Sequence, residues 1–259
     1  MSGHHAGAPI PGASLPRLLA RLHGREPIPQ PRAPADVLGE WVDWQRAVAL
    51  SRALDESPAA ARGQGHGIAT DMVAGDGAAP LGEDADAALA AECRRVRGAL
   101  EDAIRDDSRD WTLPVRPRAG EDGTGLAAGL AAVQRHCQGL QRDLQSASGR
   151  LRGDLRERLA CRDGVAARLA SVDAVMEGLL APREHALLVP VVPALVARFG
   201  QLHALQGAGD GPRPGAGRAS LWRAAFRAEA REVLLAELDL RFHPIEALLA
   251  ALHSPRPDA

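Results

Sequence analysis

Hydrophobic residues recur at steps of three and four along most of the chain, which is the spacing of one face of an α-helix. The longest stripe spans residues 126–180, and its steps mostly alternate between four and three, as in coiled coils. The scarcity of β-branched residues disfavours sheets. The pattern predicts an all-α fold, an elongated helical hairpin or bundle with coiled-coil character. The stripe comprises Leu126, Leu130, Val133, Cys137, Leu140, Leu144, Ser148, Leu151, Leu155, Leu159, Arg162, Ala166, Leu169, Val172, Met176 and Leu179.

Glycine and proline indicate where this long helical segment is interrupted. Each glycine within it costs about 1 kcal/mol relative to alanine, and we expect a kink or break near Gly149–Gly153. Pro182 is expected to end the helix, with a second helix from Arg183 folding back as an antiparallel hairpin. Whether residues 126–180 form one rod or a broken bundle stays open.

Composition and breakers divide the rest of the chain into further segments. Ser14 is expected to cap a short helix that ends at Gly24, and Asp36 to cap a helix running to about Leu54. Pro244 is expected to kink the last helix. The predicted segments are a proline-rich, disordered tail with one short helix (1–34), a Trp-bearing helix (35–56), a flexible linker (57–83), the hairpin or coiled-coil core (84–206), a Gly/Pro loop (207–218) and a C-terminal amphipathic helix (219–253).

Several residue types are missing from the 259 residues, and their absence removes whole chemistries. The chain has no Lys, Tyr or Asn, so all 31 basic residues are Arg. Lysine Schiff bases, a P-loop lysine, tyrosine catalysis and N-glycosylation are therefore excluded. With only 3% aromatic residues, the expected packing anchors are Trp41, Trp44, Phe199, Trp222, Phe226 and Phe242. For Trp41 and Trp44 core packing is favoured, and a partner-binding surface is the alternative.

The net charge of −2 hides an uneven distribution of charge. Residues 36–110 contain 16 acidic residues against 8 Arg, whereas residues 135–168 contain 8 Arg against 4 acidic residues. Attraction between these regions within one molecule is favoured over a partner-binding patch. The alternative is a nucleic-acid-binding face, which is weakened by interleaved acidic residues and by the lack of nearby aromatics. That face comprises Arg150, Arg152, Arg156, Arg158 and Arg162.

No pattern of reactive side chains indicates an enzyme, a metal site or a cofactor. Cys93, Cys137 and Cys161 form no Cys-x-x-Cys pair and are expected to be buried free thiols. The nine His residues lack metal-ligand spacing. The N-terminus lacks the basic and apolar regions of a secretory signal. The longest apolar run, 186–197, is shorter than the roughly 20 residues of a membrane span. We therefore expect a cytoplasmic protein.

Three stretches resemble an uncharacterised proteobacterial family, the domain of unknown function 3348 family. The most characteristic stretch lies between Phe226 and Leu249, and it contains Val233-Leu234-Leu235-Ala236-Glu237-Leu238-Asp239-Leu240-Arg241. Residues 170–199 and 38–54 are similar to its central portion and its start. The family has no established activity, so the resemblance assigns no catalytic residues. It implies a cytoplasmic accessory of a stator-like cell-envelope complex.

These observations favour a non-enzymatic helical scaffold or adaptor. It would act by coiled-coil self-association or by binding another helical protein, without inserting into a membrane. A membrane-associated stator-type complex is the partner that the resemblance implies. The alternative is a nucleic-acid-associated protein that uses the arginine face. The interaction residues are predicted to be Trp41, Trp44, Trp222, Phe226, Leu234, Leu238 and Phe242.

Overall fold

The computed structural model describes residues 14–22, 24, 42–55, 83–108, 111–112, 125–162, 164–207 and 216–254. These residues form helices and short connections, with no β-strand among them, so the predicted all-α class is confirmed. The helices are α1 (Ser14–Leu22), α2 (Trp44–Asp55), α3 (Glu83–Arg105), α4 (Gly125–Ala160), α5 (Gly164–Leu188), α6 (Val191–Gly207) and α7 (Ala216–His253).

The chain divides into two compact units, which we describe separately. The first unit takes the described residues of Met1–Pro29, Ala99–Ser146 and His185–His243. The second unit takes those of Gln30–Gly98, Ala147–Glu184 and Pro244–Ala259. Each unit is thus assembled from segments that are distant in the sequence.

Helix α1 begins at Ser14 and ends before Gly24, as predicted. Gly24 has a φ of 65°, and its N–H donates to the carbonyl of Arg21 over 3.0 Å, which closes the helix in the left-handed conformation that glycine tolerates. The leucines of this helix are buried in the core of the first unit, so the helix is part of that folded unit and not of a separate tail. The rest of the predicted proline-rich tail lies outside the described residues.

Helix α2 begins at Trp44, and not at Asp36. Asp43 precedes it in a non-helical conformation, and its carboxylate accepts a hydrogen bond from the N–H of Arg46 over 2.8 Å. Asp43 therefore caps the helix, so residues 36–54 are not one continuous helix. Asp36, Trp41, all of the predicted 57–83 linker except Glu83, and most of the 207–218 loop lie outside the described residues.

The long apolar stripe is broken after α4, at residues 161–162, and not at Gly149–Gly153. Helix α4 continues through both glycines to Ala160. Its end is tightened by a hydrogen bond from the N–H of Arg162 to the carbonyl of Leu159, at 3.0 Å. The Arg162 side chain is held by tertiary contacts with Leu252 and Asp86.

Pro182 does not end a helix, because it lies inside α5, which continues to Leu188. The interruption comes at residues 189–190, where Val189 and Pro190 form a turn before α6. The carbonyl of Pro190 accepts the first hydrogen bond of α6, from Ala194 at 2.9 Å. Proline propensity alone therefore predicted the break seven to eight residues too early. The buried side chains of Leu179 and Leu188 keep the helix packed before and after Pro182.

Helix α7 matches the predicted C-terminal helix and runs through Pro244 to His253. Its buried face supplies much of the core of the first unit, together with α1, α4 and α6. Phe226 and Leu238 of this helix are completely buried. The core residues of the first unit are Leu15, Leu19, Leu22, Val133, Cys137, Leu188, Val191, Val192, Ala194, Leu195, Phe199, Trp222, Phe226, Ala230, Val233 and Ala236.

Candidate functional site

The predicted interaction residues of α7 lie inside the first unit. Their neighbours are other side chains of the same chain. Each of these predicted residues exposes no more than 9% of its surface. Leu234 and Leu238 in particular are 1% and 0% exposed. Their surroundings are those of core residues. The α7 members of the predicted set are Trp222, Phe226, Leu234, Leu238 and Phe242.

An aromatic cluster organises the core of the first unit. Phe199 lies 5.1 Å from both Trp222 and Phe226, measured between ring centroids. Trp111 contacts Phe226 edge-on at 5.8 Å and stacks on His136 at 4.3 Å. Trp111 is a further packing residue, which the sequence pattern did not predict.

His136 is half-buried under Trp111, and this environment acts on its charge. Burial lowers the pKa of the His136 imidazole, while the carboxylate of Asp106 acts in the opposite direction. The neutral ring is therefore favoured, which suits a ring stacked face to face on an indole at an interplanar angle of 15°. We interpret His136 as part of the packed cluster.

Trp44 is exposed, so the prediction that it packs in a core is wrong. Its side chain is 82% accessible at the start of α2, in the second unit. At 100° per residue, Ala53 lies on the opposite side of this helix, and Ala53 is only 5% exposed. The helix thus turns its alanine face inward and its tryptophan outward. Leu54 on the same helix is also 50% exposed.

The arginine face lies in the second unit, and carboxylates of the same chain neutralise it. Arg152 donates to both oxygens of Asp173, at 2.8 and 2.7 Å, and lies 3.5 Å from Glu177. Arg156 pairs with Glu177 and lies 3.7 Å from Asp173. Arg152 and Arg156 of α4 thus form one ion-pair network with Asp173 and Glu177 of α5.

Asp86 of α3 holds the other end of the arginine face. Its carboxylate pairs with both Arg158 and Arg162. Burial opposes ionisation of Asp86, but the hydrogen bonds from Arg158 and Arg162 outweigh it, so the pKa of this carboxyl lies below its usual value of 3.8. Arg162 also donates to the carbonyl of Leu252 over 2.6 Å. Glu92 supplies a further partner, for Arg150, at 3.4 Å.

The predicted attraction between the acidic and the basic region is confirmed by these contacts. Asp86 and Glu92 belong to the acidic region, and their arginine partners belong to the basic one. The side chains of Arg152 and Arg162 are only 12% and 13% exposed. Arg150, at 52%, is the most accessible of the five.

Glu237 is a buried acidic residue whose environment sequence analysis did not identify. It has no exposed surface, although it lies in an apolar run of α7. Arg241 donates to it from Nε over 3.0 Å, and Gln141 donates to it over 3.2 Å. The Gln141 amide also donates to the carbonyl of Leu188, at 3.1 Å. The available signal was a Glu and an Arg four residues apart.

The thiols fall into two classes. Burial, and then the nearby Glu237 carboxylate, raise the pKa of the Cys137 thiol to about 12. Burial also raises the pKa of Cys93, with Glu92 adding to the effect. Cys161, which was expected to be buried, is exposed at the turn between α4 and α5. Cys161 is exposed because α4 ends at Ala160, so this residue lies in a turn and not on the buried face of a helix.

One open groove lies at the end of α3, in the first unit. It encloses about 590 Å³ and is lined by Asp102, Ala103, Arg105, Asp106 and Asp107. Asp107 is held by Arg227 and Arg231. Within the described ranges, no group of three or more His, Cys, Asp or Glu side chains is placed to hold a metal ion. Charged side chains therefore make up most of the lining of this groove.

Residues Gly164–Leu205 are long and apolar enough to cross a membrane, judged by length and composition alone. The core helix of a soluble protein satisfies the same criteria. Here Val191, Leu195 and Phe199 are buried in the first unit. One such stretch is weak evidence for a membrane span.

Comparison with known proteins places the chain in a family without assigning an activity. The chain belongs to the family described as "Protein of unknown function (DUF3348)", which matches residues 1–254. The resemblance seen in three stretches therefore extends over nearly the whole sequence. No curated protein and no solved structure matched the chain.

Proposed function

We propose that this DUF3348 family member is a non-enzymatic helical scaffold or adaptor that associates with other helices through the exposed face of α2. The observation that carries the proposal is the 82% exposure of Trp44. Tryptophan is strongly enriched among residues that dominate protein interfaces, and burying it removes a large apolar surface from water. The other described tryptophans, Trp111 and Trp222, contact aromatic neighbours in the first unit.

The proposal places association on α2 because the long leucine stripe is used within the chain. Leu144, Leu151, Leu155 and Leu159 of α4 are completely buried. A coiled-coil contact between molecules through these residues would require their present neighbours to leave. The face of α2 needs no such rearrangement. Helix packing of the coiled-coil type, with Trp44 seated between side chains of a facing helix, is the mode that we propose.

The first partner to test is a second copy of the chain, because a symmetric dimer can use the same patch on both molecules. The resemblance also leads us to propose a cytoplasmic location beside a stator-like complex. Nucleic-acid binding is not proposed as a second function. Arg152, Arg156 and Arg162 are already paired with carboxylates, whereas phosphate binding needs guanidinium groups that can be reached.

Sedimentation equilibrium of the full chain, over a wide range of protein concentration and at low and high salt, tests the proposal. We expect a mass above the monomer's 27.2 kDa that is insensitive to salt. Trp44→Ala should return the chain to the monomer. Leu221→Ala is the matched control, because Leu221 is a 71% exposed apolar side chain on a different helix.

Two results would count against the proposal. One is a wild-type chain that stays monomeric at every concentration. The other is an oligomer that Trp44→Ala and Leu221→Ala affect equally. A duplex-DNA titration on the same samples tests the alternative, because tight binding that falls steeply with salt would favour the nucleic-acid hypothesis.

A further inference from the structure

Helix α1 is seated on the first unit as a short amphipathic helix. Leu15, Leu19 and Leu22 follow one another at steps of four and three, and they are 0%, 7% and 7% exposed. Arg17 and Arg21, on the other side of the helix, are exposed. The helix packs against α6, and its leucines join the core cluster that α6 and α7 supply.

The ion pair described for α1 is exposed to solvent. Arg21 pairs with Glu232 of α7, and both side chains are more than half exposed, at 62% and 57%. Such surface pairs contribute little stability and mainly select an orientation. Three leucines therefore set the position of α1 on the surface of α6 and α7, and the Arg21–Glu232 pair selects its direction.

A helix of nine residues has little stability of its own. Isolated helices shorter than about 12–15 residues are marginal in water, and α1 spans Ser14–Leu22. Its helical state thus depends on the surface beneath it. Because elements held by few contacts open at lower free energy than the core, we expect α1 to detach without unfolding the rest of the first unit.

We propose that the α6/α7 surface beneath α1 is a helix-binding groove, and that α1 is its resident occupant. The partner that fits it is an amphipathic helix supplied by another chain, with leucines at positions i, i+4 and i+7 and an arginine at i+6. α1 itself shows this chemistry, with Leu15 as position i and Arg21 as position i+6. By occupying the groove, α1 excludes such a partner until it is displaced.

A peptide comprising residues 12–26 serves as the probe, and fluorescence anisotropy with the full chain measures its binding. The variant Leu15→Asp/Leu19→Asp should release α1 and leave the groove open. We expect the peptide to bind this variant more than about tenfold tighter than the wild-type chain, whose own α1 competes at high effective concentration. Trp44→Ala should not change this result, so it is independent of the association proposed for α2.

Matched controls locate the binding on the groove. A peptide carrying Leu19→Asp should lose more than about tenfold in affinity, because a buried leucine becomes charged. Glu232→Arg in the released chain should weaken the normal peptide by about twofold to fivefold, and a peptide with Arg21→Glu should recover that loss. Equal binding to the released and wild-type chains would overturn the proposal, as would no binding to a released chain of unchanged circular dichroism.

Hydrogen exchange on the wild-type chain keeps the proposal testable if the doubly substituted chain does not fold. Amides of α1 should exchange through a local opening, faster than those of α7 around Leu234 and Leu238. Exchange of α1 only together with those core amides would show that α1 is not separable, and would overturn the proposal. The milder variant Leu19→Ala should give a peptide affinity between those of the wild-type and the released chain.

Discussion

Arg241 lies one helical turn beyond Glu237 on α7 and pairs with a carboxylate that has no exposed surface. The side chain of Arg241 is itself only 9% exposed. A charge removed from water this completely is tolerated only when partners and hydrogen bonds replace its hydration. Gln141 contributes to that shell from α4.

Removing one member of this pair should strongly destabilise the protein. We expect Arg241→Met to lower the free energy of unfolding by about 3–5 kcal/mol, because it leaves Glu237 buried without its cation. The control is Arg105→Met, which breaks an i,i+4 pair with Glu101 in which Arg105 is 53% exposed. That change should cost less than about 0.5 kcal/mol. Urea denaturation at neutral pH measures both.

The double variant Glu237→Gln/Arg241→Met tests the physical reason. Neutralising the carboxylate should recover part of the loss caused by Arg241→Met, since the penalty comes from an uncompensated charge. Equal losses for Arg241→Met and Arg105→Met would contradict the assignment of Glu237 and Arg241 as a buried pair.

Two glycines of α4 should respond in opposite directions to alanine. A Cβ at Gly129 would lie 3.1 Å from Cε1 and 3.2 Å from Cζ of Phe199, whereas a Cβ at Gly139 would meet nothing within 4 Å. We expect Gly129→Ala to destabilise by about 1–3 kcal/mol through overpacking. Gly139→Ala should stabilise by about 0.5–1 kcal/mol through helix propensity. Thermal denaturation followed by circular dichroism distinguishes them, and a gain at both positions would show that Phe199 adjusts freely.

The three thiols should differ in reactivity. Cys161 is exposed and should be alkylated by iodoacetamide in the native protein, while Cys93 and Cys137 should react only when the protein unfolds. Mass spectrometry after labelling in buffer and in denaturant measures this difference. Rapid native labelling of Cys137 would contradict its burial.

The raised pKa of Cys137 also predicts the sign of a pH effect. The folded state keeps the thiol protonated to about pH 12, whereas an ordinary thiol ionises near 9.0. Its contribution to stability is therefore complete below about pH 9 and is lost as the pH rises towards 12. Cys137→Ala should reduce the alkaline loss of stability, as judged from urea midpoints measured across that range.

Acid should weaken the second unit through Asp86. Because its pKa is lowered in the folded state, its stabilising contribution is present above pH 3.8 and is lost as the pH falls further. We expect Asp86→Asn to cost about 3 kcal/mol at neutral pH, since Arg158 and Arg162 lose their shared partner. The difference from the wild-type chain should shrink in acid.

A suitable control for this acid effect is Asp154→Asn. Asp154 pairs with Arg150 at 3.3 Å, and both side chains are more than 40% exposed. It should cost less than about 1 kcal/mol at neutral pH. A loss as large as that of Asp86→Asn would show that burial of the pair does not set the effect.

Local signals in the sequence were sufficient where neighbours along the chain decide the structure. The leucine spacing of α1 and the glycine at position 24 predicted that helix and its end, because a helix face and a left-handed residue are local properties. The all-α class likewise followed from periodicity. The intramolecular charge attraction was predicted from regional composition alone.

Tertiary contacts decided what local signals did not. The break between α4 and α5 lies beside Arg162, whose partners Asp86 and Leu252 are far away in the sequence. Pro182 is a strong local breaker, yet α5 continues past it. Trp44 was expected to pack in a core and is exposed for the same reason, because exposure depends on which helices pack together. The spacing of apolar residues likewise could not predict the burial of Glu237.

The shared carboxylate of Asp86 has a consequence for how the sequence can diverge. Losing Asp86 alone leaves two arginines with a missing partner, and losing one arginine leaves the other still paired. In family members, we therefore expect position 86 to change only when positions 158 and 162 have already become neutral, whereas either arginine can vary first. A phylogeny of the family would show the order in which these substitutions occurred, and that order tests the electrostatic constraint among the three residues.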